Sequence, residues 1–281
     1  MPIRRILNKV GGSLFGRKAE AAFAPILTQP KRFPYGPFSF KAALPVGATY
    51  TVMASTNLTS WAPIADGAAG PKPLEYLDTD APKFNHRFYR VVADATASQN
   101  AIGFVSITLA PGFSLIGNPL DCQNNAVSEL FKEWPDGTSL NKFDTRLFRL
   151  SENEVVRNRW SRPDETLSPG DGAIFFNPTN DYKSHSFAGE VLQGNLAAPI
   201  PAGFSLRSSL VPLPGNLAED LAFPISNGDV IHLFDRDQQK YVLYPFENGK
   251  WKNGAPVLSV GESFWTAKTE PANWSRDLTL S

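Results

Sequence analysis

The chain lacks most of the residue types on which several chemistries depend. Among its 281 residues Cys122 is the only cysteine, which excludes an intrachain disulfide and a cysteine-based metal cluster. A lone cysteine is more typical of a small buried apolar side chain than of a reactive thiol. An excess of either charge is also missing, because 27 basic residues balance 27 acidic residues. The sequence therefore predicts no electropositive face for nucleic acid.

Long apolar runs and the familiar nucleotide or nucleophile motifs are missing as well. No stretch of about 18 apolar residues occurs, so no transmembrane segment is expected. The chain has no Walker A loop, no Gly-x-Gly-x-x-Gly fingerprint and no Gly-x-Ser-x-Gly elbow. His86, His185 and His232 are far apart and have different neighbours, unlike the ligands of a metal or catalytic site. We expect no cofactor and no metal.

Carboxylates leave one route to hydrolytic chemistry open, because glycoside hydrolysis needs only a pair of them. Asp144 and Asp235 are the best candidates, since they match each other in the repeat described below. The interpretation that we favour is that these side chains cap turns by binding nearby backbone groups. The sequence therefore predicts a protein that is not an enzyme and has no catalytic residue. The carboxylates considered are Asp136, Asp144, Asp171, Asp235, Asp237 and Glu262.

The residues that are present favour an all-β, multi-domain protein. A hydrophobic fraction of 42% and an aromatic fraction of 12% are typical of a folded globular chain. The 21 glycines and 24 prolines fall between short apolar runs, which favours strands and turns over helices. At this length, two or three domains are expected.

Residues 1–38 are rich in proline, lysine and arginine and show no sustained periodicity. Their basic start is similar to that of a signal peptide, but charges and glycines interrupt the apolar stretch. We favour an extended arm that docks onto a partner, with a cleaved signal or a membrane-surface segment as alternatives. The candidate docking residues are Arg4, Arg5, Arg17, Lys18, Lys31 and Arg32.

Residues 39–95 show the alternation of short strands. The string from Tyr50 to Trp61, followed by Tyr76–Ala81 and Arg87–Arg90, resembles a fibronectin-III/immunoglobulin-like module found in surface or secreted proteins of Verrucomicrobia. The resemblance implies a small sandwich that acts as a spacer or adhesive unit without catalytic residues. It also implies a location at the cell surface or outside the cell, although the weak signal peptide leaves the localisation open.

The remainder of the chain is a tandem duplication. A shift of 91 residues superposes Gly112–Gly170 on the later sequence without a gap, which predicts homologous β-rich domains at 104–194 and 198–281. The two copies pack pseudo-symmetrically or lie in line, and the short join favours packing. Their paired sequence resembles uncharacterised C-terminal regions of verrucomicrobial proteins, which brings no known activity. The matches include Gly112–Leu115 with Gly203–Leu206, Phe143-Asp144 with Phe234-Asp235, and Trp160 with Trp251.

Tryptophans supply the candidate binding residues. The repeated Trp160 and Trp251 are expected in the cores, whereas Trp134 and Trp274 have polar neighbours and are candidate interface or glycan contacts. We expect a structural subunit whose arm docks onto a neighbouring copy or a scaffold, with other protein subunits as partners. The alternatives are a carbohydrate-binding or adhesive module with a glycan as partner and, last, an enzyme that acts on polysaccharide.

Overall fold

The structure, a computed structural model, describes residues 23–34 and 36–280. Strands make up 50% of it and helices 3%, which confirms the all-β fold class. The only elements other than strands in this part of the chain are the four-residue helix α1, Val127–Leu130, and a single 3-10 turn at Ala81–Lys83. The strands are, in chain order, β1 Leu27–Arg32, β2 Phe38–Ala42, β3 Thr49–Ser55, β4 Ala62–Ala68, β5 Leu74–Asp78, β6 His86–Ala93, β7 Thr96–Ala97, β8 Ile102–Leu109, β9 Gly112–Ile116, β10 Ser139–Asn141, β11 Phe143–Asp144, β12 Arg149–Leu150, β13 Val155–Val156, β14 Arg159–Trp160, β15 Ala173–Asn177, β16 Lys183–Glu190, β17 Gly194–Ile200, β18 Gly203–Ser208, β19 Gly215–Asn216, β20 Val230–Asp235, β21 Lys240–Glu247, β22 Lys250–Trp251, β23 Val257–Leu258, β24 Ser263–Lys268 and β25 Ala272–Leu278.

The N-terminal part of the described chain is a sandwich of two sheets. The smaller sheet has the strand order β1-β2-β5, and the larger has the order β16-β8-β6-β3-β4 with β7 beside β6. Alternate residues of each strand point into the space between the sheets, where Phe38 of the smaller sheet stacks on Tyr89 of the larger one at 4.8 Å. This architecture agrees with the predicted small sandwich.

Two predicted boundaries need correction. Residues 27–32, assigned to the extended arm, form β1 and pair with β2, because Leu27 is needed to close the sandwich core. The boundary between the sandwich and the first copy falls at β8, where pairing continues from β6 through β8 to β16. The first copy is therefore joined to the sandwich by a shared sheet. Residues 1–22 of the arm lie outside the described residues.

The duplication is visible in the strand pairing. We call residues 102–190 the first unit and residues 194–278 the second unit. In the second unit one sheet has the order β18-β24-β20-β21-β22. In the first unit the corresponding strands are β9-β15-β10, β11-β12 and β13-β14, with the same order and the same 91-residue shift. Each unit also pairs its first strand with its last: β8 with β16, and β17 with β25.

The segments that follow the first sheet strand differ slightly between the two units. Residues 127–130 of the first unit form α1, whereas residues 217–221 of the second unit form a turn. Gly137 and Gly228 take φ of 85° and 90°, as expected for a turn that needs left-handed backbone. These turns lead into β10 and β20 and do not connect two strands of a hairpin.

Each unit has its own core, held by one buried indole. Trp160 lies in the first core and donates its Nε1–H to the carbonyl of Phe131 at 2.8 Å. Trp274 does the same in the second core, donating to Leu221 at 2.7 Å. The bonds satisfy the indole N–H that burial removes from water. Trp251, the sequence counterpart of Trp160, is only half-buried against the second core.

The two units pack on each other about a pseudo-twofold axis. In such an isologous contact, position i of one unit meets position j of the other, and j meets i. The contacts found here obey that rule under the 91-residue shift, so the copies are packed and not strung in line. The pairs are Gly117 N–H to Gly261 O at 2.9 Å with Ser208 N–H to Gly170 O at 3.2 Å, and the bridges Ile116–Glu262 with Asp171–Arg207.

No helix within residues 23–34 and 36–280 is long and apolar enough to cross a membrane.

Candidate functional site

Aromatic side chains cover the outer face of the sheet in the second unit. The strand register pairs His232 with Trp265 and Phe234 with Tyr241 on one side of the sheet. Residues that alternate with them along the strand, such as Ile231, point the opposite way into the core. The hairpin β11–β12 of the first unit adds two more rings to the outer side. We call this set the aromatic face: Phe143, Phe148, Phe204, His232, Phe234, Tyr241 and Trp265.

The rings of the aromatic face hold one another in place. Most neighbouring rings meet edge to face, the arrangement that their charge distributions favour. The Nε1–H of Trp265 also donates to the hydroxyl of Tyr241 at 3.2 Å. The face is therefore pre-ordered, and little side-chain entropy remains to be lost on binding. Centroid distances are 4.9 Å for Phe143–Trp265, 5.3 Å for Phe143–Phe148, 5.8 Å for Phe204–His232, 6.5 Å for Phe148–Phe204 and 4.9 Å for Phe234–Tyr241.

Much of this surface is open to solvent. Phe148 is 66% exposed, Tyr241 43% and Phe204 41%, and the neighbouring Leu147 and Leu243 are exposed as well. Burial lowers the pKa of His232, so its imidazole is neutral at pH 7 and adds no charge to the face. Contiguous apolar surface of this kind on a folded protein marks an interaction site.

The aromatic face continues the contact between the two units. Leu206, which pairs with Trp265 on the same side of the sheet, is almost completely buried. Gly172 of the first unit covers it so closely that an added Cβ would lie 2.8 Å from Leu206 Cγ. The inner part of the surface thus already serves as a contact between the units, and the outer part is also apolar but has no cover among the described residues.

Each unit has a hairpin whose tip contacts the other unit. Phe148, at the tip of the β11–β12 hairpin, lies against Phe204, and Gln239, its counterpart in the second unit, lies against Phe113. Gln239 accepts from the N–H of Phe113 at 2.8 Å and donates to its carbonyl at 2.9 Å, as a neighbouring strand would. Both tip residues have left-handed backbone, with φ of 52° and 49°. One tip is thus tied down by polar bonds, and the other presents an apolar ring.

A groove of about 610 Å³ lies where the sandwich and the two units meet. Burial raises the pKa of Glu262 in its wall, and the carboxylate accepts from the N–H of Ser259 at 2.9 Å. Its counterpart Asp171 is paired with Lys142 at 2.7 Å, whereas Leu233 replaces that lysine in the second unit. Glu262 therefore caps its turn without the lysine that pairs with its counterpart Asp171 in the first unit.

The hydroxyl of Ser114 also lines this groove and has no partner among the described residues. Ser205, its counterpart in the second unit, is equally buried and unpartnered but lies outside the groove. The unpaired hydroxyl is therefore a property of this strand position in both units, and it does not single out the groove as a ligand site.

The other candidate carboxylates are occupied by backbone groups. Asp144 accepts from the N–H groups of residues 146 and 147 at 2.8 and 3.0 Å, and Asp235 accepts from those of residues 237 and 238 at 3.0 and 2.9 Å. Asp136 accepts from residues 157 and 158 in the same way. Asp237 accepts from the Tyr182 hydroxyl at 3.1 Å. Each of these groups is explained by the turn or contact that it stabilises.

The titratable nitrogen and sulfur groups are dispersed. His86 bonds the carbonyl of Thr56 at 3.0 Å, and the ring of His185 stacks on Phe131 at 4.3 Å. Burial raises the pKa of Cys122 to about 11, so its thiol stays protonated at pH 7. Within residues 23–34 and 36–280 no group of three His, Cys, Asp or Glu side chains is placed to hold a metal ion.

The two tryptophans predicted as surface contacts lie in different places. Trp274 is only 2% exposed and lies in the second core, so its assignment as a surface contact was wrong. Its polar neighbours Asn273 and Ser275 lie on the outward side of β25, whereas the ring between them points into the core. The polarity of these neighbours is therefore no guide to the environment of Trp274. Trp134 is half-buried, with its ring edge-on to Phe175 at 4.8 Å, and retains a partly open surface.

The predicted docking residues of the arm divide into two groups. Arg4, Arg5, Arg17 and Lys18 lie outside the described residues. The guanidinium of Arg32 packs over the ring of Phe104 at 4.4 Å and belongs to the sandwich, so it is not available for docking. Lys31 is exposed, with its ammonium 4.7 Å from the ring centroid of Phe33.

Sequence reasoning did not assign the aromatic face. In the segments Val230–Phe234 and Tyr241–Tyr244 apolar residues occur on both sides of the strand alternation. Apolar residues on both sides of a strand in an antiparallel sheet mean that each face has a partner. That excess on the outer side is the signal that points to the site.

Comparisons with known proteins identify no relative. No protein family matches the chain, and no curated protein matches it. Among solved structures, a tetra-tandem repeat in the extending region of a large adhesion protein is similar at 10% identity, over 92% of this chain and 75% of that chain, with a TM-score of 0.23. Similarity at that level carries no argument about fold or function, and the membership in a fibronectin-III/immunoglobulin-like family stays a prediction.

Proposed function

We propose that the protein is a non-enzymatic structural subunit of a multi-protein assembly, in which the aromatic face binds a neighbouring copy of the chain. The observation that carries this proposal is the continuity between the aromatic face and the buried contact around Leu206. The same sheet surface is a protein interface at one end and is open at the other.

The chemistry of the face favours a protein surface as its partner. Aromatic side chains dominate the energetically important centres of protein interfaces, because they bury large area at low entropic cost. The exposed Phe148 contacts Phe143 and Phe204, whereas the exposed Tyr241 contacts His232 and Phe234, so a partner that covers the whole face would bury both. A neutral His232 between them removes the cost of burying a charge.

A carbohydrate-binding role is the second candidate, and Tyr241 with Trp265 supports it. Their rings lie on the same side of the sheet, and the bonded hydroxyl and indole N–H give the pair a polar edge. Sugar rings stack on such surfaces while their hydroxyls bond to polar edges. Binding on a glycan array that is lost in Tyr241→Ala, together with a monomeric protein in solution, would favour this candidate over the assembly.

The test of the assembly is light scattering coupled to size-exclusion chromatography, on the full chain over a concentration series. We expect the mass to rise above the 30.8 kDa of one chain as the concentration increases. The double variant Phe148→Ser/Tyr241→Ser should remain at the mass of one chain.

A matched control keeps this result specific to the aromatic face. Val46 and Leu77 are apolar residues of the sandwich with exposures of 74% and 50%, comparable to the 66% and 43% of Phe148 and Tyr241, so Val46→Ser/Leu77→Ser also replaces two exposed hydrophobic side chains with serine. This control should associate as the unchanged protein does. A native chain that stays monomeric at every concentration, or a face variant that still associates, would overturn the proposal.

A further inference from the structure

The feature that carries a further inference is an acidic position at the contact between the two units, which has cations beside it in only one of its two copies. In the first unit this position is Asp171. Its carboxylate lies 2.7 Å from the ammonium of Lys142, and its backbone forms a bridge to Arg207 of the second unit. Burial lowers the pKa of Arg207, and the negative charge of Asp171 acts in the opposite direction. Asp171 therefore has two cations as neighbours.

Glu262, the counterpart of that aspartate, has apolar residues at both places. Under the 91-residue shift Leu233 takes the place of the lysine, and Ile116 takes that of the arginine. Within residues 23–34 and 36–280, no lysine or arginine forms an ion pair with Glu262. Burial raises the pKa of its carboxyl, and the bonds from Ser259 and the charge of Arg236 offset only part of that shift. The second unit thus has a partly buried carboxylate without a paired cation.

The second unit keeps the two acceptors that bind the lysine in the first. The ammonium of Lys142 donates to the carbonyl of Thr166 at 2.8 Å as well as to the carboxylate of Asp171. The counterparts of these two acceptors are the carbonyl of Val257 and the carboxylate of Glu262. Both residues line the groove where the sandwich and the two units meet.

The pairing of β19 with β23 leaves the carbonyl of Val257 free of that sheet. Val257 is directly opposite Asn216, but the bond between the strands runs from the N–H of Leu217 to the carbonyl of Pro256 at 2.9 Å. In such a pair the N–H and carbonyl groups of the directly opposed residues point away from the partner strand. The carbonyl of Val257 is therefore turned outward, as that of Thr166 is in the first unit.

The charges that line the groove favour a cation. Three carboxylates line it, those of Asp235, Asp237 and Glu262. Arg236 lies among them, and its guanidinium is bonded to a backbone carbonyl of β8 at 2.9 Å. Burial lowers the pKa of His86 in the same wall, so that ring is neutral at pH 7. Three negative charges against one positive charge give the wall a negative potential, which attracts cations.

We propose that the groove binds a primary ammonium group on an alkyl stem, the chemistry of a lysine side chain, at the position that Lys142 occupies in the first unit. An ammonium has three donors, of which Glu262 and the carbonyl of Val257 accept two. The stem lies along the apolar part of the wall, which includes Ile107 and Ile116. The groove volume of about 610 Å³ is ample for such a stem.

The first test is a titration of the full chain with n-butylamine, which is the lysine side chain without its backbone. Amide chemical shifts in NMR spectra at pH 7 report where it binds. We expect saturable shifts at residues 257–262 with a Kd on the order of 1–10 mM, because a ligand this small makes few contacts. The matched probe n-butanol has the same stem without the charge and should produce no saturable shift.

Substitutions then identify the acceptor. Glu262→Gln should weaken the binding of n-butylamine by about tenfold or more, because it removes the charge of the acceptor. Asp237→Asn removes the same charge from the same wall and is the matched control, which should change the Kd by less than about threefold. Leu233→Lys restores the lysine of the first unit and should abolish binding by occupying the site, whereas Leu233→Met adds a similar uncharged stem and should bind as the unchanged protein does.

A third comparison identifies the source of the ammonium group. A capped peptide with one central lysine and flanking glycines presents the same group on a polypeptide. Tighter binding of this peptide than of n-butylamine would assign the site to a lysine of a protein partner. Equal or weaker binding of the peptide would assign it to a small free amine.

Several results would overturn the proposal. They are the absence of saturable shifts with n-butylamine, equal binding of n-butanol, and unchanged binding in Glu262→Gln or in Leu233→Lys. The site and the proposed assembly are tested separately, because Phe148→Ser/Tyr241→Ser changes no residue of the groove and should bind n-butylamine as the unchanged protein does. A protein that assembles but binds no amine would refute the ammonium site alone.

Discussion

Gly117 and Ser208 occupy equivalent positions in the two units and meet each other on the pseudo-twofold axis. A Cβ added to Gly117 would lie 2.2 Å from the Cβ of Ser208 and 2.4 Å from its hydroxyl oxygen. The backbone of Gly117 does not have the positive φ found at eleven other glycines, so a side chain at this position meets no conformational penalty. The space on the axis holds one small side chain, which Ser208 supplies.

The substitution Gly117→Ser should therefore destabilise the contact between the units by about 1–3 kcal/mol, the usual cost of overpacking a closed site. Ser208→Gly alone should cost about 1 kcal/mol, because it removes the bond from the hydroxyl of Ser208 to the carbonyl of Asp171 at 2.7 Å. The double variant restores one side chain on the axis from the opposite unit. Its new hydroxyl faces the carbonyl of Glu262, the counterpart of Asp171.

The double-mutant cycle measures whether the two positions share that space. Urea unfolding of the native chain, the two single variants and the double variant, followed by tryptophan fluorescence, gives the four free energies. We expect the double variant to be more stable than Gly117→Ser by at least about 1 kcal/mol, which is a favourable coupling energy. Additive effects, within about 0.5 kcal/mol, would refute the pseudo-twofold packing as the reason for the glycine.

Two further predictions concern buried titratable groups. The ring of His185 packs against Phe131 and Phe187, and burial lowers its pKa to about 3. Between pH 6.5 and pH 3 the His185 ring is therefore neutral in the folded protein, whereas the same ring binds a proton in the unfolded chain. The contribution of His185 to the free energy of unfolding is therefore fully present above pH 6.5 and falls by up to about 1.4 kcal/mol per pH unit towards pH 3. The urea midpoints measured at pH 7 and at pH 5 should differ less in His185→Phe than in the unchanged protein. Lys268 and Asp229 form a buried ion pair where the first unit has Asn177 and Thr138, so Lys268→Asn alone should cost about 3–5 kcal/mol. Thermal unfolding of Lys268→Asn/Asp229→Thr, which copies the first unit, should show most of that loss recovered, and a double variant no better than the single one would contradict this account.

The sequence predicted the repeat and its strands because both copies keep the residues that fix turns and strand starts. Gly112 and Gly203 open equivalent strands with φ of 82° and 83°, a backbone that few other residues adopt. Trp160 was placed in a core correctly for the same reason, since a large ring kept in both copies indicates packing. Local chemistry of this kind is visible in a single sequence.

The choice of strand partners was not visible in that way. Strand β8 has the near-continuous apolar run Ile102–Val105, which is typical of a strand covered on both faces of its sheet. Nothing in the run states that one neighbour is β6 of the sandwich. The prediction for Trp274 was wrong for a related reason. In β25 alternate residues face outward, so the polar residues on either side of Trp274 do not indicate where its ring points.

The differences between the two units indicate where function lies. Where the first unit meets the sandwich through β8, no strand of the described residues pairs with the outer edge of β17 in the second unit. Where the first unit has Asn141 and Ile174, the second has His232 and Trp265 of the aromatic face. The two copies share one pattern of strand pairing, so that pattern does not require their residues to differ. Positions at which the residues do differ therefore indicate surfaces that face different neighbours. In the aromatic face, His232, Tyr241 and Trp265 lie at such positions, and all three belong to the unit that shares no sheet with the sandwich among the described residues.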